Sequence, residues 1–217
     1  MSFFLSHFFL RFLTEKIPNL FFPYGHQYFY MTIETTAVTT VAGLMALAAR
    51  TAPKGKGVDT IHLRVLMGNE VQALAHRLRE LGETQGIGFF QRDALNIAAS
   101  DAVLLIGSGA DLVAGLNCGA CGYATCDAMA AEGKKRGNKR GTHFSGPNCA
   151  IRITDLGIAV GSAVKTAQIH NVDNRIMYSG GVAALDLGLL EKECTVAYTI
   201  PLSATGKNIF FDRERAK

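Results

Sequence analysis

Four of the five cysteines in this 217-residue chain lie close together in the sequence. The stretch CGACGYATC contains Cys118, Cys121 and Cys126, and GPNCA contains Cys149. The spacing is therefore Cys-x2-Cys-x4-Cys-x22-Cys. Three closely spaced cysteines with a fourth from elsewhere are typical of segments that hold a [4Fe–4S] cluster, which needs one thiolate at each of four corners. The pattern predicts that these four residues are the metal ligands.

The residues between the cysteines favour the same interpretation. Gly119 and Gly122 each follow a cysteine. Glycine adopts positive φ at little cost, so the loop can turn there and point backbone N–H groups at the sulfurs. Such donors stabilise an anionic cluster and tune its potential. The segment DAMAAEG after Cys126 predicts a helix, whose N-terminus would also favour negative charge.

Other uses of the cysteines stay open at this point. Disulfides need an oxidising compartment, and nothing in the sequence indicates export. Zinc binds four cysteine sulfurs too, although zinc sites usually show two separated Cys-x-x-Cys pairs rather than three cysteines and one. Free or redox-active cysteines are the third alternative. Cys194 stands apart at the start of an apolar stretch, and we expect it to be a small core residue.

The first thirty residues differ from the rest of the chain. Segment 1–30 holds eight of the thirteen phenylalanines, yet its apolar stretch covers only Phe3 to Leu13, about half of the roughly 20 residues that span a bilayer. We expect translated upstream sequence ahead of a true start at Met31; a peripheral membrane-binding stretch or a surface-packed segment are the alternatives. A cytoplasmic protein that does not bind a membrane is expected.

Composition argues against one class of partner. The net charge is +4, tryptophan is absent and the aromatic residues concentrate near the N-terminus. A nucleic-acid binder normally gathers basic residues on one face and offers aromatic side chains for stacking. No nucleic-acid partner is expected.

Hydrophobic periodicity predicts alternating helices and strands after Met31. The predicted helices span 35–50, 69–82, 91–99, 153–170 and 182–190, and the predicted strands span 61–67, 102–107, 175–181 and 195–202. This alternation indicates an α/β or α+β fold, a layered sheet with helices. One domain at 31–217 would carry the iron–sulfur module inserted at about 110–152.

Two resemblances rest on particular motifs. The stretches AARTAPKGKG, NCGACGYATC, GPNCAIRITDLGIAVGSA, HNVDNRIMYSGG and IPLSATGKNIFFDR resemble a family of prokaryotic ferredoxin-domain proteins grouped as a domain of unknown function. This resemblance implies a [4Fe–4S] protein. The cysteine stretch alone also resembles the four-cysteine domain of the corrinoid protein of carbon monoxide dehydrogenase/acetyl-CoA synthase, where the loop before the last cysteine is usually shorter.

The flanking segments resemble nitroreductases. A helix ending in AARTAP, then RDALNIAASDAVLLIG, DLGIAVGSAVKTA and a terminal strand in IPLS follow in the same order as in that fold. The resemblance implies a homodimer that binds FMN. The arginine-rich opening that holds the flavin phosphate is missing here; Lys54, Lys56 and Lys207 are the candidates to replace it, and solvated loop lysines are the alternative.

Function is expected to be one-electron transfer with a soluble electron carrier. The run KKRGNKR (134–140) predicts either a hydrated loop or a docking patch for an acidic carrier, since complementary charge speeds encounter. His143 could donate to a cluster sulfur. The alternatives are a flavin-dependent oxidoreductase with the cluster as relay, and a structural protein stapled by zinc or the cluster. No catalytic triad can be assembled from the sequence.

Overall fold

A four-stranded sheet organises the computed structural model, which describes residues 32–136 and 142–211. The expectations for the N-terminal extension 1–30 and for residues 137–140 of KKRGNKR lie outside these residues. The helices are α1 (Ile33–Thr51), α2 (Asn69–Gln85), α3 (Gly88–Ala98), α4 (Cys126–Arg136), α5 (Ala150–Ile169) and α6 (Tyr178–Asp186). The strands are β1 (Ile61–Met67), β2 (Ala102–Ser108), β3 (Asp173–Asn174) and β4 (Val196–Ser203).

The strands lie in the order β1-β2-β4-β3, and every neighbouring pair is antiparallel. This confirms the layered sheet with helices, in its antiparallel form. Ser108 at the end of β2 lies opposite Ile61 at the start of β1 and opposite Val196 at the start of β4. The cysteine segment begins at this end of the strands, directly after β2.

Strand β2 divides the core into two layers. All seven of its residues are buried. Leu104 and Ile106 pack with α1 and α5 on one face, whereas Val103 and Leu105 pack with α2, α3 and α6 on the other. Alternate side chains of a strand point to opposite faces, so one apolar strand supplies both layers. The short apolar run in the sequence predicted such a buried strand, and the structure confirms it.

Helix α1 is fixed at both ends by its own sequence. The hydroxyl of Thr32 accepts a hydrogen bond from the backbone N–H of Thr35 (3.2 Å) and caps the first turn. At the other end the ammonium group of Lys54 donates to the carbonyl oxygens of Ala52 (2.8 Å) and of two residues in the last turn. A cation in this place satisfies helix carbonyls that have no partner within the helix.

The predicted strand at 175–181 is wrong in most of its length. Met177 forms an isolated bridge with Thr199, and α6 begins at the next residue. Gly180 and Gly181, which end the predicted strand, are helical residues packed against β4. A Cβ on Gly181 would lie 1.9 Å from the carbonyl oxygen of Ala197. The two glycines let α6 approach the sheet, and a one-dimensional pattern does not reveal that contact.

Among the described residues, none of the helices combines the length and apolar character needed to cross a membrane.

Candidate iron–sulfur site

The structure brings the four predicted ligands to one place. Cys118 and Cys121 lie between β2 and α4, Cys126 is the first residue of α4, and Cys149 directly precedes α5. All four line the same small pocket. Their exposure is graded, since Cys118 is exposed, Cys121 and Cys126 are half-buried, and Cys149 is buried. Residues more than twenty positions apart in the sequence therefore meet at one site.

The backbone around the first two cysteines turns through left-handed conformations. Gly119 has φ of 72° and Gly122 has φ of 85°, as the sequence predicted. The N–H of Gly122 donates to the carbonyl oxygen of Gly119 (2.9 Å) and closes the turn. A side chain at either position would be strained, because L residues rarely adopt positive φ. Glycine is thus required to wrap this loop around the pocket.

Asn117 connects the two ends of the cysteine loop. Its side-chain oxygen accepts a hydrogen bond from the backbone N–H of Cys126 (2.8 Å), and its own backbone N–H donates to the Cys126 sulfur (3.3 Å). Asn117 also has φ of 50°, a conformation that asparagine tolerates better than most residues. This residue was not predicted as part of the site. Its position directly before the first cysteine was the available signal.

Two of the cysteines lie at helix N-termini. Cys126 is the first residue of α4, and the hydroxyl of Thr125 accepts from the N–H of Ala128 (3.2 Å) in that first turn. Cys149 is the N-cap of α5. The partial positive charge of a helix N-terminus favours anions nearby. Both helices therefore favour a negatively charged group in the pocket, as predicted for α4 and in addition for α5.

Cys149 is anchored to the sheet by a hydrogen-bond network. Its N–H donates to the carbonyl oxygen of Ala110 (2.7 Å). The neighbouring Asn148 accepts from the hydroxyl of Thr195 (2.7 Å) and donates to the carbonyl oxygen of Ser145 (2.7 Å). Thr195 is buried just before β4. This network fixes the fourth ligand relative to β2 and β4, and neither Asn148 nor Thr195 was singled out from the sequence.

One side of the pocket is apolar and the other faces water. Met129 and Ala114 are buried beside Cys149, with Val113 and Ile151 packed against them. The segment from 115 to 120, which carries Cys118, is exposed throughout. A cluster in this pocket would thus have a low-dielectric side toward the protein and an open edge near Cys118, where a partner could approach.

The number of cysteine donors suits a four-iron cluster, and four cysteine sulfurs suit a zinc ion as well. Zinc holds sulfur at about 2.3 Å, so any two of its tetrahedral ligands lie about 3.8 Å apart. In the described part of the chain, no three histidine, cysteine, aspartate or glutamate side chains converge tightly enough to hold one metal ion. A four-iron cube spreads its four thiolates over separate corners. The four cysteines that line this pocket supply that number of thiolates.

His143 and Cys194 do not line the cysteine pocket. Both ring nitrogens of His143 are engaged, one with the hydroxyl of Tyr178 and the other with the side-chain oxygen of Gln85 (2.8 Å), so the expectation that it donates to a sulfur is wrong. Burial raises the pKa of Tyr178, and the nearby Tyr198 adds to this. Cys194 is buried, as expected of a core residue.

The three lysines proposed for a flavin phosphate differ in their surroundings. Lys54 is committed to the carbonyl oxygens at the end of α1, and only 7% of its side chain is exposed. Lys56 and Lys207 are exposed. Lys54 therefore cannot replace the missing arginines, and the other two match the alternative of solvated loop lysines.

Two family models match different parts of the chain. Residues 145–213 match the family described as "Uncharacterized protein containing a ferredoxin domain", and residues 114–136 match the family described as "Putative Fe-S cluster". An uncharacterized protein of Archaeoglobus fulgidus is 44% identical over 180 residues, which cover 83% of this chain and 94% of that protein.

The scaffold is similar to solved nitroreductases. Nitroreductase CinD of Lactococcus lactis, solved with nicotinic acid, has a TM-score of 0.51 and 12% identity, covering 78% of this chain and 79% of its own. An FMN-dependent nitroreductase of Clostridium difficile has a TM-score of 0.45 and 13% identity, covering 77% and 76%. The chain thus belongs to the family of iron–sulfur proteins described as containing a ferredoxin domain, on a nitroreductase-like fold.

Proposed function

We propose that the protein binds one [4Fe–4S] cluster through Cys118, Cys121, Cys126 and Cys149 and transfers single electrons. The observation that carries this proposal is that all four cysteines line one pocket. When bound, the cluster supplies a reversible one-electron couple. The chain contributes thiolates at two helix N-termini, the N–H of Asn117 toward the Cys126 sulfur, and an apolar backing at Met129.

The proposed electron donor is a soluble carrier with an acidic surface, in the cytoplasm. Lys134, Lys135 and Arg136 end α4, the helix that begins at a proposed ligand. Arg136 is paired with Glu132 (2.7 Å), while the two lysines add positive charge to the same turn. Opposite charge near the site steers a partner and speeds its encounter, and this effect weakens as salt screens it.

The test of the cluster is anaerobic purification followed by iron, sulfide and zinc analysis and an absorbance spectrum. We expect about four irons and four sulfides per chain and a broad visible band that dithionite bleaches. Zinc without sulfide would remove the electron-transfer function and leave a metal-stapled structural protein. The carrier is tested by stopped-flow reduction with an acidic ferredoxin, in which Lys135→Gln should slow association and Lys165→Gln, on the exposed surface of α5, should not.

A second candidate is a flavin-dependent oxidoreductase, a homodimer in which the cluster relays electrons to FMN. The nitroreductase-like fold favours it, whereas the engagement of Lys54 with helix carbonyls weakens the phosphate site expected for it. Acid treatment of the purified protein releases flavin in this case, and sedimentation then gives the mass of two chains. Protein with full iron content and no released flavin leaves the one-electron carrier.

A further inference from the structure

A cleft of about 720 Å³ lies beside the cysteine pocket. Its walls come from the start of β1, the loop after β2, the helix α4 and the loop before β4. These walls lie at the end of the sheet where β1 begins and β2 ends. The volume is within the range of about 300–1,000 Å³ that is usual for small-molecule sites.

The cleft and the cysteine pocket share a wall. Val113 and Met129 line both of them. Met129 is buried and Val113 is half-buried, so a molecule in the cleft would be separated from the proposed cluster by a single layer of side chains. Together with Leu112 and Pro147, these residues give the cleft an apolar surface suited to a ring system.

The charged groups of the cleft come from several elements. Lys134 lies on α4, one turn beyond Ala130, which also lines the cleft. Asp111 and Glu193 lie on the opposite elements, and both are near Gly109, since a Cβ there would be 3.9 Å from an Asp111 carboxylate oxygen and 3.3 Å from the Glu193 carbonyl oxygen. The cleft therefore has a lysine on α4 and an acidic side chain near Gly109, and Lys192 beside Glu193 adds a second cation to its lining.

A third acid in the cleft is already neutralised. Asp59 forms an ion pair with Arg50 (2.5 Å) and lies 3.9 Å from the ammonium of Lys54. Burial acts to raise the pKa of Asp59, but the hydrogen bonds from Arg50 and the Ile61 N–H and the two nearby cations lower it below its usual value. Its charge thus does not oppose an anionic ligand.

We propose that this cleft binds a planar, aromatic redox compound that carries one anionic group, with the anion at Lys134 and the ring against Val113 and Met129. The role of this compound as electron partner rests on the proposed cluster, whereas its binding does not. When bound, the cluster would supply one electron to the ring, which Val113 and Met129 would hold beside it. No bond forms or breaks, and the acidic carrier supplies the electron to the cluster.

The experiment is a calorimetric titration of the purified full chain with anthraquinone-2-sulfonate and with the uncharged 2-hydroxymethylanthraquinone. We expect saturable binding of both compounds, tighter for the sulfonate. Lys134→Gln should weaken the sulfonate about threefold and leave the uncharged compound unchanged, as for one partly exposed ion pair. Lys135→Gln is the matched control, because Lys135 is the adjacent lysine and does not line the cleft.

Ala130→Phe locates the binding site. It fills the cleft without changing its charge and should weaken both compounds by at least about tenfold, with iron content and circular dichroism unchanged. Binding that Ala130→Phe leaves intact, or no saturable binding of either compound, overturns the proposal. Iron and sulfide analysis of the same sample tests the cluster independently, since protein without iron that still binds the sulfonate retains the site but loses its electron role.

Discussion

Strand β2 and the cysteine segment follow one another in the chain but are held in place by different means. Every residue of β2 is buried, and the strand is paired on both sides. Residues 115–120 are exposed, and their shape depends on left-handed residues and a few hydrogen bonds. Packing therefore stabilises the scaffold, whereas residues 115–120 have no such packing.

This difference predicts that the two regions respond separately to the loss of metal. Where a metal site is preformed by a fold, metal binding adds stability locally; where it is not, metal binding drives folding itself. Here Cys149 is fixed by the sheet and α5, while Cys118 projects from the exposed segment. We expect the sheet to persist without the cluster and the segment to lose its order.

The largest expected effect is that of Cys149→Ser on iron content. Loss of one corner ligand should reduce iron from about four to less than about one atom per chain. Serine is a favourable N-cap, so α5 should still begin at the same place. Iron analysis and hydrogen exchange check both expectations: fast exchange should be confined to the segment 115–126. Cys194→Ala is the control and should keep its iron. Exchange that rises equally in β2 would show that the two regions form one cooperative unit.

The next largest effect concerns the buried pair Arg152–Asp155, one turn after Cys149. Arg152 donates to Asp155 (3.0 Å) and to the carbonyl oxygen of Gly55 (3.0 Å), while the other Asp155 oxygen accepts from the N–H of Gly55 (2.8 Å). Arg152→Met leaves a buried carboxylate without its cation and should lower the free energy of unfolding by about 3–5 kcal/mol.

Urea unfolding of apoprotein measures this effect on the scaffold alone. The double variant Arg152→Met/Asp155→Asn removes the stranded charge and should recover part of the loss, because replacing both partners of a buried pair costs less than removing one. Equal losses in the single and double variants would mean that the packing of Arg152, and not its charge, stabilises the start of α5.

The sequence predicted what depends on local pattern. The buried strand β2, the long helices and the positive φ of Gly119 and Gly122 follow from hydrophobic periodicity and from the backbone freedom of glycine. The four cysteines were recognised because their spacing is itself a chemical signal. Apart from Cys149, these features can be read from residues that are close together in the sequence.

The features that sequence analysis missed depend on contacts between distant residues. Thr195 meets Asn148 only because β4 returns beside β2. Gly180 and Gly181 are typical turn residues in sequence, and only the approach of α6 to β4 explains them. Likewise, Lys54 was a candidate for the flavin phosphate site, but its ammonium group donates to a carbonyl oxygen at the end of α1. Tertiary packing decides each of these cases.

A smaller effect is expected from adding a methyl group at Gly181. The new Cβ would collide with the carbonyl oxygen of Ala197, so α6 must shift away from β4. Gly181→Ala should therefore lower the free energy of unfolding by about 1–3 kcal/mol. Gly157→Ala is the matched control on α5, where a Cβ meets nothing within 4 Å, and it should raise stability by about 0.5–1 kcal/mol. Thermal unfolding of the two apoproteins distinguishes these signs; a loss in both would contradict the open surface at Gly157.

The smallest effect is a pH dependence that comes from Cys194 in the scaffold. Burial, with the charges of Glu193 and Glu191, raises the pKa of this thiol from 9.0 to about 12. The folded protein therefore keeps the thiol protonated at pH values at which the unfolded chain loses the proton. This contribution to stability is fully present below pH 9 and is lost as the pH rises toward 12. Because other groups titrate in that window, the measurement is the difference between wild type and Cys194→Ala in urea unfolding at pH 8 and pH 10. We expect the stability advantage of wild type to shrink at pH 10, and a constant difference would show that Cys194 reaches solvent in the folded state.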